Sequence, residues 1–111
     1  MKIAVLIDDL FFSSKISATA QHVGSEVVLC RTAEGVPPDA ARICVDLNAS
    51  TFDPIEEIRK LKAGHSRPIV AFLSHVQVDL KRKAEEAGAD EVMPRSAFAQ
   101  RLPEILGKMG S

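Results

Sequence analysis

Five short apolar runs alternate with helical patterns along the chain, and this alternation constrains the fold more than any other feature. The runs cover residues 2–7, 26–30, 43–47, 68–73 and 91–93. Their few polar interruptions are typical of strands buried on both faces of a parallel sheet. Strands and helices that alternate in this way predict an α/β fold, doubly wound, with helices on both faces of the sheet.

The segments between the runs carry signals for helix starts and ends. Apolar residues recur every three to four positions over residues 12–23, and Gly24 then follows as a C′ residue. Asp53 is expected as an N-cap, with Pro54 at the first helical position. These signals support a helix after the first apolar run and another after the third.

Two connections depart from the regular pattern. The segment 31–41 is short for a helical crossover and contains two adjacent prolines, so we expect one helical turn or an irregular loop, that is, a shortened second helix. Near the end of the chain, Pro103 would break a continuous helix. The last helix is therefore expected either to be capped by Ser96 or to begin afresh near Leu102.

The order of strands decides which residues meet. Right-handed crossovers leave few topologies open, and we expect the flavodoxin-like order 2-1-3-4-5 for the five strands. This order makes the first and third strands neighbours. Ligands of open α/β sheets bind beyond the carboxyl ends of such strands.

Three carboxylates occupy that position. Asp8 and Asp9 follow the first apolar run, and Asp46 lies near the end of the third. Close carboxylates repel one another unless a cation or a strong donor joins them, so the cluster predicts a hard metal ion, Mg²⁺, or an aspartate that accepts a phosphoryl group. The alternatives are an N-cap role for Asp9 and a solvated loop position for Asp46.

Composition narrows the class of protein. The chain has 111 residues and a formal net charge of −1, which disfavours a nucleic-acid binder that depends on phosphate contacts. No apolar run is long enough to cross a membrane. Cys30 and Cys44 lie in apolar segments and are expected to be buried, reduced thiols. We therefore expect one cytoplasmic domain over residues 1–111.

Over nearly its whole length, the sequence resembles the receiver domains of response regulators, the CheY-like family. The acidic pair Asp8-Asp9, the segment Val45-Asp46-Leu47-Asn48, the segment 68–75 and the turn Ala87-Gly88-Ala89-Asp90 match the family in order and spacing. Asp53-Pro54 stands where many members have Asp-Gly. The resemblance implies that Asp46 is the phosphoacceptor. It implies that Asp8, Asp9, Asp46 and the backbone carbonyl of Asn48 bind Mg²⁺.

Three departures from the family pattern make this an atypical receiver. The switch position that carries Thr or Ser in the family aligns with Leu73, and a hydroxyl appears one position later, at Ser74. Arg95 stands in place of the family's Lys, as the candidate partner of a phosphate or of Asp46. Ser96 replaces the following proline. Ser74 as a phosphate donor competes with a plain loop serine, and the neighbouring His75 with a solvated side chain.

The resemblance and its departures leave two hypotheses about function, which belong to different classes. The first is a stand-alone signalling domain, not an enzyme in the ordinary sense, that accepts a phosphoryl group at Asp46 from a histidine kinase or phosphotransfer protein and then binds a downstream protein. The second is a pseudo-receiver, a protein–protein interaction module that works without phosphorylation. A third hypothesis is a small enzyme on the same fold, such as a Mg²⁺-dependent phosphatase or a flavin binder. The sequence leaves a homodimer open.

The pair Phe11 and Phe12 opens the first helix. Packing of both rings in the core is the ordinary expectation. Exposure of one ring beside the acidic cluster would instead suit docking of a partner.

Overall fold

A five-stranded parallel sheet with helices on both faces forms the fold, in a computed structural model that describes residues 1–64, 67–74 and 77–107. His75 lies outside the described residues. The strands are β1 (Lys2–Leu6), β2 (Glu26–Cys30), β3 (Arg42–Asp46), β4 (Ile69–Leu73) and β5 (Glu91–Pro94). The helices are α1 (Leu10–His22), α2 (Pro54–Gly64), α3 (Val78–Ala87), α4 (Arg95–Gln100) and α5 (Leu102–Leu106), with a 3₁₀ turn at Ala33–Gly35.

The strand order is β2-β1-β3-β4-β5, and the predicted topology is confirmed. Leu6 of β1 pairs with Val45 of β3, so the two strands end side by side. One position further along, Asp46 pairs with Phe72 of β4. The residues that follow β1 therefore lie next to Asp46, the last residue of β3, as a cluster of the three carboxylates requires.

Alternation along the strands divides the core into two clusters. Side chains such as Leu6, Val45 and Ala71 face α2 and α3. Their neighbours Val5, Cys44 and Phe72 face α1, α4 and α5. Both faces of the central strands β1, β3 and β4 are covered, which explains why their sequence signal was continuous. The edge strand β2 carries an equally apolar run but is partly exposed, with Leu29 at 49%.

Helix boundaries follow the local chemistry. The N-cap of α1 is Asp9, whose Oδ1 accepts a hydrogen bond from the Phe12 N–H at 3.0 Å. Asp53 Oδ1 accepts one from the Glu56 N–H at 3.2 Å at the start of α2, as predicted. Gly24 follows α1 with φ of 78°, a left-handed conformation that suits a C′ glycine.

The two irregular connections are partly as expected. The segment after β2 forms the 3₁₀ turn Ala33–Gly35 in place of a second full helix, which confirms the shortened crossover. The terminal helix is broken at Arg101, and α5 begins at Leu102 with Pro103 in its first turn. Capping by Ser96 is wrong: Pro94 is the N-cap of α4, and Ser96 lies inside that helix.

The expectation that both phenylalanines of α1 pack in the core is wrong. Phe12 is buried between α1 and the sheet, where its ring meets Phe72 edge-on at 5.4 Å between centroids. Phe11, one position along the helix, is 93% exposed. Consecutive helix positions point about 100° apart, so one ring faces the sheet and the other faces solvent.

None of the helices in the described ranges has the length and apolar character that a membrane span requires.

Candidate functional site

The carboxyl ends of β1, β3 and β5 bring four charged side chains together. Asp8 and Asp9 lie in the connection from β1 to α1, Asp46 is the last residue of β3, and Arg95 is the first residue of α4 after β5. Arg95 Nη1 donates to Asp9 Oδ2 at 2.8 Å. Its Nη2 donates to Asp46 Oδ2 at 3.1 Å. One guanidinium therefore joins two carboxylates that are 37 positions apart along the chain.

The guanidinium of Arg95 is also held by aromatic rings. It lies 4.6 Å from the centroid of Phe12 and 5.7 Å from that of Phe72. A planar cation over a ring face is attracted by the ring's quadrupole. Burial leaves Arg95 Nε without a hydrogen-bond partner among the described residues. The two rings and the two carboxylates thus fix the orientation of the guanidinium, while its Nε–H makes no hydrogen bond within the described residues.

Asp46 is the buried member of the cluster. Its side chain is 2% exposed, and its Oδ1 accepts a hydrogen bond from the Asn48 N–H at 2.9 Å while Oδ2 faces Arg95. Burial raises the pKa of Asp46 above its ordinary value, and the negative charges of Asp8 and Asp9 act in the same direction. The Asn48 N–H and Arg95 oppose this shift without cancelling it.

Asp9 shifts the other way although it shares the same arginine. The Phe12 N–H and then Arg95 hold the pKa of Asp9 below its ordinary value. The difference arises because the Asp9 side chain is 32% exposed, so its charged form keeps contact with water.

Asp8 turns toward a different loop. Its Oδ2 accepts hydrogen bonds from the Ser50 N–H, the Thr51 N–H and the Thr51 hydroxyl, each at 2.9 Å. These donors, the Thr51 N–H first, lower the pKa of Asp8. Asp8 thereby ties the end of β1 to the loop between β3 and α2. No sequence signal pointed to this partner, because nothing marked residues 50–51 as donors.

Asn48 joins two loops through its side chain. Its Oδ1 accepts a hydrogen bond from the Ser74 N–H at 2.5 Å, and its Nδ2 donates to Gln77 Oε1 at 2.9 Å. The predicted role of Asn48 concerned its backbone carbonyl and stays a prediction. Leu73 is buried in the core on the α2 and α3 side, and Ser74 is exposed just beyond the end of β4.

The arrangement does not fit a bound Mg²⁺. In the described part of the chain, no group of three His, Cys, Asp or Glu side chains is placed to hold a metal ion. Asp8 Oδ2 is engaged by the loop at Ser50 and Thr51, while Arg95 lies between Asp9 and Asp46. The positive charge that the sequence assigned to a metal is supplied here by a side chain.

Comparison with known proteins identifies the fold. A response regulator receiver domain protein (CheY-like) from Methanospirillum hungatei JF-1 is 16% identical with a TM-score of 0.77, covering 95% of this chain and 92% of that one. A two-component response regulator from Clostridium difficile is 18% identical with a TM-score of 0.79, covering 100% and 99%. The chain therefore has the CheY-like receiver fold, as the sequence predicted.

A third similar structure is that of a response regulator protein from Burkholderia pseudomallei with a phosphorylated aspartic acid, calcium ion and citrate. It is 16% identical with a TM-score of 0.80, covering 96% of this chain and 66% of that one. No protein-family model matches the sequence, and no curated protein matches it significantly. The likeness thus lies in the three-dimensional fold, at low sequence identity.

Proposed function

We propose that this protein is a receiver-fold signalling module that binds other proteins without being phosphorylated. The observation that carries the proposal is the state of Asp46, whose side chain is 2% exposed and whose two oxygens both accept hydrogen bonds. A carboxylate that attacks a phosphoryl donor must present an oxygen to that donor. With one oxygen toward Asn48 and the other toward Arg95, Asp46 is closed to it.

The switch position supports the same function. The resemblance to receiver domains implies that a hydroxyl group at the switch position would contact the phosphoryl group and transmit the phosphorylated state to the rest of the fold. Leu73 stands at that position, is 3% exposed and packs against α2 and α3. Its side chain has no hydrogen-bond donor. A phosphoryl group on Asp46 would therefore lack the contact that reports it to the rest of the fold.

An interaction module also needs a surface, and the end of the molecule beside the acidic site offers one. Leu10, Phe11 and Leu29 are 75%, 93% and 49% exposed. Leu10, Leu29 and Arg31 line a cavity of about 210 Å³. Exposed apolar side chains in such a group mark protein contact sites. We assign Leu10 and Leu29, which line this cavity, and Phe11, which follows Leu10 on α1, to partner binding, and call these three residues the apolar patch.

The charges around the patch indicate the kind of partner. Helix α1 contains no acidic residue, and its exposed Lys15 lies one turn from Phe11. Arg31 is exposed at the other side of the cavity. Asp8 also lines this cavity and lies close enough to Arg31 for that cation to lower its pKa, so Arg31 is already opposed by a carboxylate. The partner is therefore an apolar protein segment with an acidic side chain placed against Lys15.

Incubation with acetyl phosphate and millimolar Mg²⁺, followed by intact mass spectrometry, tests the proposal. The expected result is no phosphoryl adduct on the wild-type chain. An adduct that is absent from the Asp46→Asn variant would overturn the proposal. A receiver domain known to accept phosphate from acetyl phosphate, treated in parallel, controls for the activity of the reagent.

The second candidate function is phosphoryl acceptance at Asp46 from a histidine kinase or phosphotransfer protein. The placement of Asp46 at the end of β3, beside Asp8 and Asp9, favours it, and so does the phosphorylated aspartic acid of the Burkholderia pseudomallei protein. This function requires Arg95 to withdraw from Asp46. It also proposes Mg²⁺ at Asp8, Asp9, Asp46 and the Asn48 carbonyl, with Ser74 and Arg95 as phosphate partners. The same mass measurement separates the two functions.

A further inference from the structure

We propose that the Arg95 guanidinium is the resident cation of the acidic site, and that removing it converts the site into one that binds a divalent metal ion. The native chain then excludes divalent cations because the position is already filled by its own side chain. This inference deepens the proposed function and rests on it, since both assign Arg95 to permanent pairing with the acids.

The first argument is the geometry of the two carboxylates. Asp9 Oδ2 and Asp46 Oδ2 both lie within hydrogen-bond distance of one planar group, at 2.8 Å and 3.1 Å from its two terminal nitrogens. The second oxygen of each carboxylate accepts a backbone hydrogen bond, which fixes the position of the side chain. Asp9 Oδ1 accepts from the Phe12 N–H, and Asp46 Oδ1 accepts from the Asn48 N–H. Two anionic oxygens thus remain aimed at the same space when the guanidinium is taken away.

The second argument is charge. Among the described residues, Arg95 is the cation that forms an ion pair with Asp46 and with Asp9. Without it, a carboxylate that is 2% exposed would stand beside a second carboxylate with no counter-charge. Repulsion and desolvation would then favour uptake of either a proton or a cation. Carboxylate and carbonyl oxygens with water are the ligands that Mg²⁺ and Mn²⁺ prefer.

The third argument is how Arg95 is held. Its guanidinium lies over Phe12 and is anchored at its base by the start of α4, immediately after β5. A weakly bound metal ion does not easily displace a side chain that is stacked on a core aromatic ring and paired at both terminal nitrogens. Exclusion of divalent ions is therefore built into the packing of α1 against β4 and α4.

Titration with Mn²⁺, followed by the loss of its free-ion electron paramagnetic resonance signal, tests the inference. The wild-type chain is compared with the variants Arg95→Ala and Arg95→Met. The Met variant keeps a flexible apolar side chain against the Phe12 and Phe72 rings, so that loss of packing is separated from loss of charge. We expect both variants to bind Mn²⁺ at least about tenfold more tightly than the wild type, which is a difference of about 1.4 kcal/mol.

Arg101→Ala is the matched control. Arg101 also pairs with two carboxylates, Glu91 at 2.6 Å and Glu104 at 3.8 Å. Glu91 is the first residue of β5, at the opposite end of that strand from Arg95, and the Arg101 side chain is 38% exposed. Its removal is expected to leave Mn²⁺ affinity unchanged. The double variant Arg95→Ala/Asp46→Asn is expected to lose the gained affinity, because one of the two anionic oxygens is then neutral.

Two results would overturn the inference: wild-type affinity equal to that of the Arg95 variants, or a gain no larger than that of Arg101→Ala. If an Arg95 variant is unfolded without metal, Mn²⁺ must restore its far-ultraviolet circular dichroism, and failure to do so also counts against the inference. These results leave the proposed function standing, whereas phosphorylation of the wild-type chain by acetyl phosphate overturns that function whatever the Mn²⁺ result.

Discussion

Arg95 and Asp46 form an ion pair at 3.1 Å in which the carboxylate is 2% exposed and the guanidinium 27% exposed. The pair spans 49 positions of sequence and connects the end of β3 to the start of α4. Because the same guanidinium binds Asp9 and lies over Phe12, this one side chain holds together β1, β3 and the helices that follow β1 and β5. The closed state of the acidic site depends on it.

The pH dependence of stability should separate Asp46 from Asp8. Burial raises the pKa of Asp46, so the folded chain binds a proton at this group at higher pH than the unfolded chain does. The contribution of Asp46 to the free energy of unfolding therefore grows as pH falls through the folded pKa toward the ordinary value of 3.8. Relative to Asp46→Asn, the wild type should gain stability on acidification, as measured by urea unfolding across pH.

Asp8 should show the opposite trend. Its pKa is lowered, so its stabilising contribution is present above 3.8 and is lost as pH falls through the folded pKa. The advantage of the wild type over Asp8→Asn should shrink in acid. The explanation by desolvation and hydrogen bonding would be contradicted if both variants followed the same trend.

The link from Asp8 to the β3–α2 loop should be measurable at neutral pH. Asp8→Ala removes the acceptor of three hydrogen bonds, including those of the Ser50 and Thr51 N–H groups. We expect a loss of about 1–2 kcal/mol in the free energy of unfolding, measured by denaturant titration, because charged acceptors form the stronger hydrogen bonds. Asp39→Ala is the control, since its ion pair with Lys2 lies on the surface. A loss no larger than that of the control would contradict the assignment.

The two phenylalanines of α1 should behave oppositely. Phe11→Ser should change the free energy of unfolding by less than about 0.5 kcal/mol, because its ring is 93% exposed. Phe12→Ala should cost about 3–5 kcal/mol, because its ring packs among buried aromatic side chains. Thermal and urea unfolding measure both effects.

Partner binding should require the Phe11 side chain and should not depend on Asp46. In affinity capture from the native host, proteins retained by the wild type should also be retained by Asp46→Asn and lost with Phe11→Ser. Val78→Ser, which alters another exposed apolar residue, on α3, is the matched control and should retain them. Loss of the same proteins with Asp46→Asn would favour the phosphoacceptor function instead.

Much of the fold was predictable because its main signals are local. Continuous apolar runs mark strands that are covered on both faces, and residues such as Gly24 and Asp53 mark helix ends through backbone conformation and capping. Right-handed crossovers leave few strand orders open, and the flavodoxin-like order is one of these. The division of the last helix was only half predicted, because Pro103 is compatible with the first turn of a new helix and so marks a start as well as a break.

The candidate pairing of Arg95 with Asp46 was predictable from the resemblance, and so were the three acids of the site. Their positions after β1 and β3 follow from topology, but the orientation of each side chain depends on partners that are distant in sequence. Thr51 is 43 positions from Asp8, and Arg95 is 86 from Asp9. The stacking of Arg95 on Phe12 had no sequence signal either, because Phe12 fits an apolar stripe whatever lies above its ring.

A double-mutant cycle on Arg95 and Asp46 tests the central claim most directly. The free energies of unfolding of the wild type, Arg95→Met, Asp46→Asn and the double variant are measured by urea titration at neutral pH. We predict that Arg95→Met costs about 3 kcal/mol in the wild-type background, since it leaves a buried carboxylate unpaired, and much less in the Asp46→Asn background. The coupling energy should then exceed about 1 kcal/mol. A coupling energy within error of zero would contradict the account, because Arg95 would not be the partner that closes the acidic site.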